Sequence, residues 1–495
     1  MSYEKFATIL RSRYGMKISP DICWHVIRTY IKGYYPDRLM CAEDYEKIPQ
    51  KDKTVTLDEF KKAYEVYDWL VSKYPDYWDE LDLVRIILTN DYTRNHEYYI
   101  IICDEAQDFT RIEIQLMLRL SFVLRYDFSR FHDLVVPIIL AGDPLQTINP
   151  TGFRPQALRK AYYQLTGEMS NSSAKIRREL LRSELTCNYR SSEGITKFSN
   201  LINLVRYTLL GISPIGDPQK PWRHSADIPA FVSLARFQEI TSPDDFHIVI
   251  HPKLREIIRE NPDKHRSVSA LLNADQPNLW TPLEIKGLEQ DCVIVYGFGE
   301  VLQQILSEKF RSKRATLAES EFRQAIREHV QREDSTELRI QLEYFFSNLY
   351  VAVTRAVKRL FVVDSEEGRR ILWDLLLSED SWSEMLPEDK NGKNAWADKT
   401  NYQELVVEDQ LSVKRIDPER EAEKYHNLWR EERNPDYCTR AIKWYRKVRK
   451  DKIANELQAE LYEYEERWEE AAQAHEKAGN QSKAAVCWLR AGDWK

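Results

Sequence analysis

Residues 98–108 read YYIIICDEAQD, a short apolar run that ends directly in acidic side chains. Four more short apolar runs follow along the chain, at 134–141, 246–250, 292–296 and 360–363. Continuous apolar strands that alternate with helices are typical of a parallel sheet covered on both faces. The sequence therefore predicts an α/β fold whose first strand carries Asp104 and Glu105 at its carboxyl end.

The composition is that of an ordinary globular protein, with 43% hydrophobic and 31% charged residues in a chain of 495. This length allows two to four domains. We find no apolar run of 18 residues and no secretory signal in MSYEKFATILRSRYG, so we expect no membrane partner and a cytoplasmic location, or a nuclear one in a eukaryote. The net charge of −7 means that any nucleic-acid contact needs a local basic groove.

The seven cysteines are scattered along the chain and form no CxxC pair. This spacing argues against a zinc site and against a disulfide framework, and it fits a reducing compartment.

Residues 1–96 read as helical and are rich in aromatic side chains: Trp24, Tyr64, Tyr67, Trp69, Tyr74, Tyr77 and Trp78. Such side chains can form a stacking platform for unpaired bases. The stronger interpretation is that they fill the core between packed helices.

Three later segments complete the expected organisation. We expect a charged helical insertion at 299–342 and a linker at 365–417. Within 418–495, EEAAQAHEKAGN and SKAAVCWLRAGD are similar segments offset by about 13 residues, each with a glycine where its helix should end. This pattern resembles helical repeats of the tetratricopeptide kind, which commonly bind a protein partner.

Two polar segments follow the first two predicted strands. In Asp104-Glu105-Ala106-Gln107-Asp108, one carboxylate can hold Mg²⁺ and the next can polarise an attacking water, although a solvated acidic loop is the simpler interpretation. In Gly142-Asp143-Pro144-Leu145-Gln146, the glutamine can sense a phosphate or position water. Taken alone, this second segment indicates only a turn.

Three further segments carry candidate ligands for a nucleotide. Asn188-Tyr189-Arg190-Ser191 offers an aromatic face and a guanidinium group. In Lys286-Gly287-Leu288-Glu289 the glycine permits close backbone approach, and the glutamate can accept from a ribose hydroxyl or cap a helix. Val351-Ala352-Val353-Thr354-Arg355-Ala356 supplies an arginine that can stabilise transition-state charge, or that lies on the surface.

In this order, the five segments resemble the ATP-site motifs of superfamily 1 helicases, and within these the UvrD-like group. The resemblance covers roughly residues 97–364. It implies an α/β fold with two RecA-like P-loop NTPase lobes, an incomplete one at 97–183 and a second at 184–364. Residues 1–96 would be an α-helical N-terminal subdomain inserted in the first lobe, and α-helical repeats would follow the second lobe.

The resemblance also implies roles for individual residues, with ATP and Mg²⁺ as cofactors. Asp104 would hold the metal and Glu105 would be the catalytic base. Gln146, Arg190 and Arg355 would act at the γ-phosphate. Tyr189 would stack on adenine, and Gly287 and Glu289 would lie at the ribose. Phe153 and Arg154 would border the path of the bound strand, although Phe153 can equally be a core residue.

Three departures from the family pattern qualify this expectation. No GxxxxGK[ST] P-loop occurs, Leu283 stands where relatives carry His, and only about 90 residues separate NYRS from KGLE. We therefore expect the sequence to begin beyond the P-loop and the isolated chain not to turn over ATP. A partner chain is one candidate source of the missing P-loop.

The expected parent activity is ATP-driven, 3′-to-5′ translocation on single-stranded DNA, with RNA as the alternative strand. One alternative is a catalytically inactive regulator that binds nucleotide or nucleic acid. The other is an interaction scaffold built on 418–495. In that segment the basic residues between Arg440 and Lys452 form either a strand-binding face or a solvated helix face.

Overall fold

The structure is a computed structural model. It describes residues 3–10, 12, 18–49, 53–75, 78–90, 92–95, 98–122, 134–148, 155–169, 176–177, 181, 183–210, 218–223, 229–239, 243–314, 319–330, 336–377, 406–407 and 416–492.

The strands are β1 (Ile101–Cys103), β2 (Leu134–Val135), β3 (Ile138–Leu140), β4 (Ile176–Arg177), β5 (Cys187–Ser192), β6 (Lys220–Arg223), β7 (Ala230–Ser233), β8 (His247–Ile250), β9 (Leu279–Trp280), β10 (Gln290–Tyr296), β11 (Ala356–Asp364) and β12 (Val406–Val407). Four of the five apolar runs each contain one strand, as predicted, and the run 134–141 forms two, β2 and β3, in different sheets. The strands β4 to β7, β9 and β12 lie outside the predicted runs. The register pairs of these strands are parallel, so the α/β class is confirmed.

The helices from residue 3 to residue 210 are α1 (Tyr3–Ile9), α2 (Pro20–Val26), α3 (Ala42–Glu46), α4 (Leu57–Lys73), α5 (Glu80–Thr89), α6 (Arg111–Arg119), α7 (Pro155–Met169) and α8 (Glu193–Leu210). Those from 234 to 354 are α9 (Leu234–Gln238), α10 (Leu254–Glu260), α11 (Arg266–Asn273), α12 (Pro282–Ile285), α13 (Phe298–Arg314), α14 (Glu319–Val330) and α15 (Thr336–Thr354). The last are α16 (Glu366–Gly368), α17 (Asp374–Leu377), α18 (Pro418–Glu432), α19 (Pro435–Lys447), α20 (Asp451–Tyr464), α21 (Trp468–Ala478) and α22 (Gln481–Ala491).

The chain forms two compact units. The first unit comprises residues 1–229, 298–359 and 366–405, and the second comprises 230–297, 360–365 and 406–495. The helices α13 to α15 span the stretch in which a charged helical insertion was expected. Most of the expected linker at 365–417 lies outside the described residues.

The second unit contains a six-stranded sheet in the order β12-β7-β11-β10-β8-β9. Its inner strands are almost wholly apolar; Ile248, Val249, Val293 and Ile294 are all buried. Side chains on both faces of these strands are covered, which explains why they read as continuous apolar runs instead of an alternating pattern.

In the first unit, β1 pairs with β3 in a two-stranded parallel sheet. One face of this pair is covered by packing, since Ile101 and Cys103 are buried. On the other face, the register partners Ile102 and Ile139 are 71% and 56% exposed. The expectation of a sheet covered on both faces is therefore wrong for this pair.

The N-terminal helices α1 to α4 surround a core of aromatic and aliphatic side chains. Trp24 and Tyr67 are buried in it, and Tyr64, Trp69 and Tyr74 pack against it. Within this core, Tyr45 stacks on Phe60 with ring centroids 4.5 Å apart. The core interpretation of these aromatic residues is confirmed. Trp78 is exposed, and Tyr77 lies outside the described residues.

Five helices, α18 to α22, end the second unit, and each packs against its neighbour in the chain. Gly479 and Gly492 follow α21 and α22 with φ of +81°, a left-handed conformation that glycine adopts without steric penalty. The prediction that a glycine ends α21 and α22 is confirmed. Among the helices of the described residues, none has the length and apolarity needed to cross a membrane.

Candidate functional site

The acidic segment after β1 forms a tight turn. Asp104 and Glu105 are exposed, and the carboxylate of Asp104 accepts a hydrogen bond from the Glu105 backbone N–H at 2.8 Å. Glu105 has φ of +52° and lies in the left-handed region, which is unfavourable for a residue with a side chain. Strained residues that the surrounding structure holds in place cluster at functional sites.

Gln107 joins this turn to the turn after β3. It is buried, its amide nitrogen donates to the Glu105 carboxylate, and its Oε1 accepts from the Asp143 backbone N–H at 3.1 Å. A Cβ added to Gly142 would lie 2.3 Å from the Gln107 Oε1. Gly142 is thus needed for the close approach of the two segments.

Asp143 organises the second turn. Its carboxylate accepts from the Leu145 backbone N–H at 3.0 Å and from the Gln146 Nε2 at 2.8 Å. Burial raises the pKa of Asp143, and these hydrogen bonds oppose the rise. A partly buried network of this kind fixes the direction in which the Gln146 amide points.

Arg355 reaches the same glutamine from the end of α15. Its guanidinium is buried and donates to the Gln146 Oε1 at 3.1 Å and to the Thr354 hydroxyl at 3.3 Å. An apolar cluster of Ile148, Tyr344 and Val351 packs α15 against the segment that carries Gln146. The Gln146 amide is therefore held at both ends, by Asp143 and by Arg355.

Tyr350, one turn before Thr354 on α15, also contacts this network. Its hydroxyl hydrogen-bonds Asp143, and its pKa is raised well above the usual value by burial and then by the negative charge of Asp143. The positive charges of Arg355 and Arg190 oppose that rise. Arg190 is consequently close enough to act electrostatically on the network that holds Gln146.

The adjacent tyrosine belongs to an exposed aromatic pair. Tyr189 on β5 and Trp222 on β6 are 61% and 64% exposed, with ring centroids 5.2 Å apart. Asn188 orders the strand locally, because its Oδ1 accepts from the backbone N–H groups of Arg190 and Ser191, each at 3.0 Å. The basic side chains Lys220 and Arg223 flank Trp222 in the chain. The two rings form an exposed aromatic surface on strands that also carry basic residues.

In the second unit, the segment with Gly287 and Glu289 follows the short helix α12. Thr281 and Glu284 form a capping box at the start of this helix, so the capping residue is Glu284 and not Glu289. Gly287 has φ of +82°, which restricts this position to glycine in practice. Glu289 is exposed, and its backbone oxygen accepts from the Lys424 Nζ at 3.1 Å.

Two basic residues of α19, Arg440 and Lys443, have partners within the second unit. The guanidinium of Arg440 lies 3.3 Å from the centre of the Trp280 ring and donates to the Pro277 carbonyl at 2.9 Å. Lys443 forms an ion pair with Asp275. The Arg440 cation serves packing, which disfavours both interpretations at this position. At the exposed residues Arg446, Arg449 and Lys452, the strand-binding face and the solvated face stay predictions. Phe153 and Arg154, expected at a strand-binding path, lie outside the described residues.

Within the first unit, the structure brings together Glu105, Gln146 and Arg355 through the intervening Gln107 and Asp143. Sequence reasoning did not single out Gln107, Asp143, Tyr350 or Trp222. The signal for the first two was present, because both lie inside the predicted motifs. Trp222 gave none, since its pairing with Tyr189 depends on the pairing of β5 with β6.

Comparison of the sequence with models of known protein families gave no match. Comparison with curated proteins gave none either. The functional assignment therefore depends on the motif residues and on their arrangement in the structure.

Proposed function

We propose that this chain is part of an ATP-driven motor of the UvrD-like superfamily 1 group, which translocates 3′ to 5′ on single-stranded DNA. The observation that carries the proposal is the hydrogen bond from Arg355 to Gln146, two motif residues that lie 209 positions apart in the sequence. In this proposal the α/β regions correspond to two RecA-like lobes, and α18 to α22 to tetratricopeptide-like repeats.

The chemistry of the linked residues supports phosphoryl transfer. Negative charge spreads over the transferred phosphoryl group in the transition state, and catalysis depends mainly on positioning and electrostatic stabilisation. The carboxylates of Asp104 and Glu105 are both exposed. In this proposal Asp104 binds the metal ion and Glu105 acts as the base for the attacking water. Gln146 and Arg355 offer donors that are already ordered before the nucleotide binds.

The aromatic pair supports recognition of a nucleobase. Tyr189 and Trp222 present exposed rings, and Arg190, Lys220 and Arg223 are their neighbours in sequence, a combination that can stack a base and attract phosphate. The proposal assigns adenine to this surface. Gly287 and Glu289 keep, as part of the proposal, the ribose role that the resemblance implies.

The proposal requires a P-loop from outside these 495 residues, because the sequence contains no GxxxxGK[ST]. A P-loop supplies the backbone N–H groups and the lysine that hold the β- and γ-phosphates. Without it, stacking on the aromatic pair is worth only ~1–3 kcal/mol, which corresponds to affinity weaker than about millimolar.

Saturation-transfer NMR with Mg·ATP tests the nucleobase site at this weak affinity. We expect saturation of the adenine protons by the wild-type chain and its loss in Tyr189→Ala and in Trp222→Ala. Tyr163→Ala is the matched control, since Tyr163 is also an exposed aromatic side chain of the first unit. If no adenine signal appears, nucleotide binding is refuted and the scaffold alternative becomes the better one. If Tyr189→Ala and Trp222→Ala retain the signal, the assignment of adenine to this aromatic pair is refuted.

Hydrolysis is tested after a P-loop segment has been added in cis or in trans. Glu105→Gln should then keep nucleotide binding and remove most turnover, because only the base is lost. Arg355→Ala should lower turnover by about 10³-fold or more. DNA-stimulated turnover that survives both substitutions would refute the assignment of these residues.

A further inference from the structure

Three side chains with metal-ligating atoms meet between the last helices of the second unit. They are Glu463 on α20, His475 on α21 and Cys487 on α22, and their ligand atoms all lie within 4.8 Å of one another. The His475 Nε2 is 2.7 Å from the Glu463 Oε1, and the Cys487 Sγ is 3.4 Å from the same oxygen. One carboxylate oxygen thus contacts both other groups.

Two of the three side chains lie in a packed interior, and the third reaches its edge. His475 and Cys487 are buried, and Glu463 is partly exposed at the end of its helix. The buried alanines Ala471 and Ala472 belong to the same small core as Cys487. Small side chains allow helices to approach closely, and this approach is what brings the three ligand atoms together.

We propose that Glu463, His475 and Cys487 form a binding site for a zinc-class divalent cation that joins α20, α21 and α22. Carboxylate oxygen, imidazole nitrogen and thiolate sulfur are the three ligand types that Zn²⁺ uses in proteins. Three protein ligands leave the fourth tetrahedral position for water, which can reach the site past the partly exposed Glu463. This site is separate from the nucleotide-binding function proposed above.

Holding the ion requires the three ligand atoms, which lie within 4.8 Å of one another, to move to tetrahedral spacing. Ligand bonds of about 2.0–2.3 Å in a tetrahedral site place the ligand atoms roughly 3.3–3.7 Å apart. The Sγ–Oε1 distance of 3.4 Å already fits, whereas the Nε2–Oε1 distance of 2.7 Å must lengthen. The Glu463 side chain is free to make this adjustment because it is partly exposed.

Metal binding also requires that the ligand atoms lose their protons. The Cys487 thiol releases its proton to solvent and binds as thiolate. The His475 ring binds through Nε2 as the neutral tautomer, with its proton on Nδ1. Affinity should therefore rise with pH, as it does for thiolate sites in general.

The scattered cysteines had argued against a zinc site, because the chain has no CxxC pair. In this site the ligands are spaced by 12 residues, from 463 to 475 and from 475 to 487. A local motif search does not find such spacing, since helix packing and not chain proximity brings the ligands together.

Cobalt(II) titration of the full chain tests the proposal, because a thiolate ligand gives Co²⁺ a near-ultraviolet charge-transfer band. We expect one equivalent of Co²⁺ to produce this band together with the strong visible bands of tetrahedral coordination, and Zn²⁺ to remove both. Cys487→Ser should abolish the charge-transfer band. His475→Gln and Glu463→Gln should each weaken Co²⁺ binding by about 10-fold or more.

Cys438→Ser is the matched control, since Cys438 is also buried in this helical array but contacts the Leu457 carbonyl instead of ligand side chains. It should retain the band. Circular dichroism must show that every variant keeps its helix content. The proposal is overturned if the wild-type chain gives no thiolate band, or if folded Cys487→Ser keeps it.

Discussion

Arg355 Nη2 donates to Gln146 Oε1 across 3.1 Å, and the same glutamine donates to Asp143 from its Nε2. The amide can satisfy both contacts in only one orientation, because its oxygen and nitrogen have opposite hydrogen-bonding roles. The buried guanidinium therefore sets the direction of a side chain in a different motif.

A double-mutant cycle of Gln146→Leu and Arg355→Met measures this coupling. Each substitution keeps side-chain volume and removes the hydrogen bond, so each should destabilise the first unit. The coupling energy from urea denaturation should be about 1–3 kcal/mol, as for a buried hydrogen bond to a charged group. Gln146→Leu with Arg119→Met, in the same unit and outside this network, provides the control and should be additive. Additivity in the first cycle would contradict the structure.

A side chain at Gly142 should destabilise the first unit. A Cβ at this position meets the Gln107 Oε1 at 2.3 Å and backbone nitrogen atoms of Ala106 and Gln107 at 3.2 and 3.1 Å. Gly142→Ala should therefore lower the free energy of unfolding by about 1–3 kcal/mol, the usual effect of overpacking. Ala141→Ser, at the exposed neighbouring position, should change it by less than about 0.5 kcal/mol. Equal effects of the two changes on the urea midpoint would disprove this account.

The sequence predicted six of the twelve strands, because apolar runs such as 292–296 are buried on both faces and keep a strong signal. It missed short strands such as β9 and polar ones such as β5 and β6, which carry no such run. It also indicated Asp104, Glu105, Gln146 and Arg355 as site residues, because their motifs lie directly after a strand or at the end of a helix. Partners set by tertiary packing were not predictable. Trp222 pairs with Tyr189 through strand pairing, and Arg440 stacks on Trp280 from 160 residues away in sequence.

The exposed face of the β1–β3 pair should promote self-association. Ile102 and Ile139 lie opposite each other in register and are largely exposed, so they form an apolar surface on a short parallel sheet. Ile102→Thr and Ile139→Thr should reduce the concentration-dependent increase in mass seen by light scattering, with little loss of stability. Ile101→Thr is the control: this side chain is buried on the other face, so it should destabilise the unit instead. An unchanged mass in the Ile102 and Ile139 variants would count against this surface.

A buried histidine makes the second unit sensitive to acid. His247 has its pKa lowered to about 3 by burial and by the positive charges of Lys424, Arg440 and Lys447. Its Nδ1 accepts from the Trp280 indole N–H at 3.2 Å, which requires the unprotonated ring nitrogen. The unfolded chain takes up a proton near pH 6.5, and the folded unit does so only near pH 3. The stabilisation is therefore complete above about pH 6.5 and is lost as the pH falls, by up to ~1.4 kcal/mol per pH unit.

His247→Gln keeps an acceptor for Trp280 and removes the titration, so its unfolding free energy should fall less steeply between pH 6.5 and pH 4 than that of the wild type. Glu421, 3.7 Å from His247, has its pKa raised by burial. A raised carboxyl pKa stabilises the folded state below the unfolded value, and this contribution is lost as the pH rises through the folded value. Glu421 therefore partly offsets the acid effect of His247, and Glu421→Gln should make the fall steeper. Urea unfolding followed by tryptophan fluorescence at several pH values measures both slopes. Parallel curves for the wild type and His247→Gln would show that His247 is not the group responsible.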